Sequence, residues 1–156
     1  MVTYDGRCFG CGADNEDGLK MRFTPTEEGS VCEFEVPPRF QSWRGMVHGG
    51  MVALMLDEAV GWAGWHAGHP GLTGKLAVRY RRPLDVGERV RVVGKVDRVA
   101  RSLVYATATI DRLSDGERIA EATATLMAVP TELTAPRGQP AAPAPARPSP
   151  ARRPRR

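Results

Sequence analysis

The sequence predicts an α+β domain in which one long helix lies against one curved antiparallel sheet. Three observations point there. From Gly50 to Trp65 no proline interrupts a run that is apolar on every side, the pattern of a central, buried helix. Four strand-like runs follow it, and turn signals separate them at hairpin spacing, so they read as an antiparallel meander. At 156 residues the chain can bury one real core, not two.

Residues 1–18 read as an irregular arm, with Gly6, Gly10 and Gly12 followed by Asp14-Asn15-Glu16-Asp17-Gly18. Leu19–Phe23 and Ser30–Val36 read as short strands around a Glu27-Glu28-Gly29 turn. A loop from Pro37 to Val47 enters the helix, and Gly68, Pro70 and Gly71 break the chain after it. Lys75–Pro83 alternates, with Leu76, Val78 and Tyr80 on one face and Lys75, Arg79 and Arg81 on the other. Arg89–Val99 places Val90, Val92 and Val96 on a common face. A turn through Ala100-Arg101-Ser102 leads to Leu103–Leu113. Ser114-Asp115-Gly116 is a hairpin signal, returning Glu117–Val129 as the last strand.

Residues 1–130 form the expected domain. Residues 131–156 are rich in Pro, Ala and Arg without apolar periodicity, and are expected to be disordered. Six arginines and no acid lie beyond Pro136; taking them from the 22 basic residues leaves 16 against 18 acidic ones. The positive charge therefore belongs to the tail, and nucleic acid is not an expected partner. No apolar stretch is long enough to cross a bilayer, and MVTYDGRCFG carries no signal-peptide pattern, so a cytoplasmic protein is expected. Three cysteines fit a reducing compartment. Cys8 and Cys11 form a CxxC, but zinc takes four ligands as a rule, and no second CxxC or histidine pair follows. Structural cysteines in a Gly-rich turn, with no metal, are expected.

The chemistry concentrates in VHGGMVALMLDEAVGWAGW. His48-Gly49-Gly50 stands at the helix entrance, and Asp57 follows nine residues after the histidine. A carboxylate in an apolar helix is expensive to desolvate and is a candidate reactive group. At 100° per residue Asp57 clusters with Gly50, Ala53, Gly61 and Gly64, while Met51, Met55 and Trp62 project from the other side. Glycines inside a helix cost about 1 kcal/mol each against alanine, so something approaches this trough closely. Two readings stand: helix packing with a hydrogen-bonded carboxylate, or a reactive carboxylate beside a narrow channel.

These elements resemble the hotdog-fold acyl-CoA thioesterases of the phenylacetate-degradation (PaaI-like) type, over roughly residues 5–130. The likeness rests on HGG with an acid at the ninth position, on the CFGCG…N…GL motif of Cys8–Leu19, and on the strand GKLAVRYRRPL with its closing proline. It implies a sheet wrapped around one central helix, a homodimer or homotetramer with active sites between subunits, and hydrolysis of an acyl-CoA thioester to free acid and coenzyme A. No cofactor is implied beyond the coenzyme A of the substrate.

By the same resemblance Asp57 is the general base or nucleophile. The N–H of Gly49, at the start of the helix, binds the oxyanion. His48 orients the loop or the thioester, or merely shapes the turn. Thr73 places water or substrate. Gln41, beside Ser42, occupies the neighbourhood of a polarising side chain in some members. Gly50, Arg81, Arg82, Arg98, Arg101 and Ser102 match regions that contact coenzyme A, whose phosphates suit the planar guanidinium fork. Arginines on a solvated strand edge would look the same. The alternative function is a non-catalytic acyl-CoA-binding domain with a sensing or regulatory role.

Overall fold

The computed structural model describes residues 6–129, so the expected tail at 131–156 lies outside the described residues. Eight elements follow in order: β1 (Thr24–Thr26), β2 (Gly29–Glu35), a 3-10 turn (Pro38–Phe40), α1 (Gly49–His66), β3 (Gly71–Tyr80), β4 (Arg89–Ala100), β5 (Leu103–Arg112) and β6 (Arg118–Ala128). All strand pairings are antiparallel, in one six-stranded sheet of order β1-β2-β4-β5-β6-β3. The α+β expectation is met, and the helix packs on β2 through β6.

Two expectations about strands are corrected. Leu19–Phe23 joins no strand of the sheet. Its backbone turns to the arm instead: the Leu19 N–H donates to the Phe9 carbonyl at 2.8 Å and the Met21 N–H to the Gly10 carbonyl at 2.9 Å. Leu19, Met21 and Phe23 still bury their side chains, which accounts for the strand-like alternation. The meander is also only three strands long. β3 pairs with β6, not with its successor β4, and β4 pairs with β2 instead. Alternation reports which face is buried and carries no information about which neighbour is paired. β3 thereby becomes an edge strand whose second side has no partner within the described residues.

The helix is less enclosed than its composition suggests. Val52, Met55, Leu56, Ala59, Val60, Trp62 and Ala63 are buried against the sheet. Gly94 of β4 lies directly under Ala59, where a Cβ would overlap the Ala59 carbonyl, so the helix rides on the sheet at backbone distance. Ser30 reinforces the contact by donating to that carbonyl at 3.1 Å. Met51, Leu54, Asp57, Glu58, Gly61 and Trp65 are only half-buried. Met51, Leu54 and Trp65 pack against the core from this side while keeping part of their surface exposed.

Candidate active site

His48 caps the helix. Its extended backbone (φ −63°, ψ 132°) precedes the first turn, and its Nδ1 accepts from the Gly50 N–H at 2.9 Å. An accepting Nδ1 fixes the proton of the neutral ring on Nε2, the nitrogen left for other partners. Gly50 is thereby committed: its N–H is taken, and a Cβ there would press on the His48 ring at 3.0 Å. Gly49 differs. Its N–H has no acceptor among the described residues, as the first positions of a helix leave donors unfilled. Its carbonyl accepts from the Tyr80 hydroxyl at 2.9 Å, which ties the helix start to the end of β3.

Beside this helix start opens a cleft of about 480 Å³ lined in part by Trp43, Val52, Tyr80, Arg81 and Arg82. Arg81 reaches Glu121 at 2.6 Å and Arg82 reaches Glu117 at 2.8 Å. Both pairs are exposed and screened, so both arginines can exchange a carboxylate for a phosphate at small cost. Gln41 stands apart from the cleft: its Oε1 accepts from the Gly45 N–H at 3.3 Å and shapes the loop into the helix.

Asp57 lies two turns further along α1. It is half-buried, and its Oδ1 is shielded from solvent with no hydrogen-bond partner among the described residues. Such an oxygen is rare, because leaving it unpaired costs about 1–3 kcal/mol. The trough next to it is real at Gly61, where a Cβ would meet nothing within 4 Å. Gly64 belongs to packing instead, with the His69 carbonyl 2.9 Å from where its Cβ would stand.

The remaining expected residues lie at the far end of the sheet. Thr73 is exposed beside the irregularity between Thr73 and Lys75. Seven residues of strand separate it from Tyr80, roughly 23 Å. Arg98, stacked over the Tyr105 ring at 3.5 Å, and the exposed turn residues Arg101 and Ser102 are at the same end, where Leu103 and Leu72 both pair with Met127. One chain therefore does not bring Arg81 and Arg82 together with Thr73 and Arg98–Ser102.

Two features of the site are not announced by the sequence. Tyr80 reads there only as a face residue of β3, and nothing in a lone tyrosine signals its bond to Gly49. Glu58 stands next to Asp57 and is overshadowed by it. Burial pushes its carboxyl up to about 8, and the Cys8 sulfur beside it acts in the same direction. Cys8 is drawn down to about 5, first by the hydrogen bond from the Cys11 thiol, and Cys11 is pushed up as that donor. A CxxC and an acid in an apolar helix are the available signal.

Residues 44–119 match the family model described as "Thioesterase superfamily", a span that includes the helix start, Asp57 and the whole of β3, β4 and β5. Over that span the chain is similar to the thioesterase superfamily. It is 29% identical over 104 residues to the acyl-coenzyme A thioesterase THEM4 of Xenopus laevis, covering 67% of this chain and 47% of that one. It thus spans about half the length of that relative. Among solved structures, a thioesterase superfamily protein superposes with a TM-score of 0.74 at 24% identity, covering 78% of this chain and 60% of the other. A hypothetical thioesterase of Streptococcus pneumoniae, solved with coenzyme A, gives 0.64 at 18% identity, over 68% and 85% of the two chains. The PaaI protein of E. coli gives 0.65 at 16% identity, over 70% and 83%. The shared architecture is the superfamily's hotdog arrangement of one long helix on an antiparallel sheet. No helix among the described residues is long and apolar enough to cross a membrane.

Proposed function

We infer that the protein hydrolyses an acyl-CoA thioester to a free carboxylic acid and coenzyme A. The observation that carries this reading is the pairing, on one helix, of an unfilled N–H at Gly49 with an unpartnered carboxylate oxygen at Asp57. The first is suited to negative charge developing on a carbonyl oxygen, the second to taking a proton from water or attacking the carbonyl itself. Collapse of the tetrahedral species then expels coenzyme A as its thiol.

The same two groups require a second copy of the chain. Eight residues of helix separate Gly49 from Asp57, about 12 Å along the axis. An oxyanion donor and a base must both sit within about 3 Å of reacting atoms, and a short aspartate does not close that gap. A two-fold dimer formed on the free edge of β3 supplies the answer. Antiparallel pairing of two such edges sets the Thr73 end of one strand beside the Tyr80 end of the other. His48, Gly49, Arg81 and Arg82 of one subunit then meet Asp57, Thr73 and Arg98–Ser102 of the partner. Exposed Leu72 on the edge strand β3 and exposed Met127 on its neighbour β6 favour this association.

The test is a panel of CoA thioesters, short-chain, medium-chain and aromatic, with released thiol followed by a thiol-reactive dye. Turnover of at least one thioester supports the reading. Tight acyl-CoA binding by calorimetry with no released thiol across the panel would overturn it in favour of a non-catalytic acyl-CoA-binding domain.

A further inference from the structure

The N-terminal arm ends in a loop whose sulfurs face the helix. The Gly12 N–H donates to the Cys8 carbonyl at 2.9 Å, and the bonds from Leu19 and Met21 clamp the carbonyls of Phe9 and Gly10. Gly10 rests on the Glu58 side chain so closely that a Cβ would overlap it, and a Cβ on Gly12 would overlap the backbone of Gly6 and Cys8. Both glycines are what the descent of the loop onto α1 demands. The result is a convergence of three donor atoms: the Cys8 Sγ lies 3.1 Å from the Glu58 Oε1, and these two and the Cys11 Sγ all lie within 4.8 Å of one another.

We propose that Cys8, Cys11 and Glu58 bind one divalent zinc-like cation, with the fourth position open to water, and that the ion clasps the arm to the helix beside Asp57. The sequence alone leaves the CxxC without further ligands because Glu58 lies far from it along the chain. Two sulfurs and one carboxylate oxygen are the donors of a borderline-soft ion. With metal–sulfur bonds near 2.3 Å and metal–oxygen bonds near 2.1 Å, a tetrahedral site spaces its ligands by roughly 3.5–3.8 Å, a separation this cluster reaches with side-chain adjustment alone. A disulfide between the two cysteines would leave unexplained why a carboxylate is held beneath them, and none of the three cysteines is in a disulfide. No other group of three or more such side chains converges among the described residues.

The experiment uses the full 156-residue chain, tag-free and reduced, and Co²⁺ or Zn²⁺ alone as the probe. One equivalent of cobalt should produce a thiolate-to-cobalt charge-transfer band with the intense visible bands of a tetrahedral site, and zinc should bleach both. Cys8→Ser and Cys11→Ser should lose the charge-transfer band, and Glu58→Gln should bind more weakly. Zinc should also slow alkylation of Cys8 and Cys11 in the unaltered protein, a readout that survives if the variants do not fold. Absence of the band in reduced protein, its persistence in Cys8→Ser/Cys11→Ser, or alkylation indifferent to zinc would each overturn the proposal. None of these readouts involves thioester hydrolysis, so this site and the catalytic reading fail separately.

Discussion

Asp57 and Glu58 are adjacent acids on one helix, and their surroundings could hardly differ more. The side of α1 that carries Asp57 is left without a roof at Gly61, which has open space where a Cβ would stand, and one carboxylate oxygen, though shielded from solvent, has no partner among the described residues. The side that carries Glu58 is roofed by the arm, with Gly10 pressed onto the carboxylate and the Cys8 Sγ in hydrogen-bond contact with it at 3.1 Å. A rotation of about 100° separates a group left for an incoming molecule from one consumed by the chain itself. A carboxylate's sequence context is therefore a poor guide to its task; what covers it decides.

The contrast can be broken from either side. Asp57→Asn should cost the largest factor, about 10²–10⁴ in turnover, with the melting temperature little changed, measured by released thiol under saturating substrate. Next comes the roofed side. Gly10→Ala forces a Cβ into Glu58 and should destabilise the fold by about 1–3 kcal/mol in urea denaturation. Arg101→Ala, if the far end of the sheet meets coenzyme A from a second subunit, should raise KM about tenfold and leave kcat alone, the loss of one charge-assisted bond. On the unroofed side Gly61→Ala should act in the opposite sense to Gly10→Ala, adding up to about 1 kcal/mol because the helix gains propensity without a clash. The subtlest effect, visible only as a pH slope, concerns His66, buried near the end of α1 with neither ring nitrogen bonded among the described residues. Burial lowers its pKa from the usual 6.5. Below pH 6.5 the unfolded chain takes up a proton that the folded one resists, so stability should fall as pH falls, by at most about 1.4 kcal/mol per unit. His66→Gln should flatten that slope in melting curves between about pH 7.5 and 5.5.

The helix is legible in the sequence almost to the residue, Gly50–Trp65 expected against Gly49–His66 found, because a long proline-free apolar run has few alternatives. The Ser114-Asp115-Gly116 hairpin is equally plain: Gly116 adopts φ +75° and Asp115 accepts from the Glu117 N–H. Pairing is not legible. The place of β3 beside β6 depends on how the chain crosses the sheet, and alternation is blind to that. At the site, the cap by His48 and the open place at Gly49 follow from helix-end chemistry. The bond from Tyr80 to Gly49 and the convergence of Cys8, Cys11 and Glu58 depend on contacts between residues 31 to 50 positions apart. No local pattern encodes those.

One substitution isolates the central claim, that the helix start offers its free N–H to a developing oxyanion. Gly49→Pro replaces that hydrogen with a ring carbon, and the added Cβ meets Tyr80 only at ordinary contact distance, 3.7 Å. Proline is tolerated at the first helical position, and His48 already has the extended backbone that a residue before proline requires. Thioester hydrolysis measured as kcat should fall about 10²–10³-fold with the melting temperature preserved. A variant that keeps wild-type turnover on a substrate the unaltered protein hydrolyses would contradict the account.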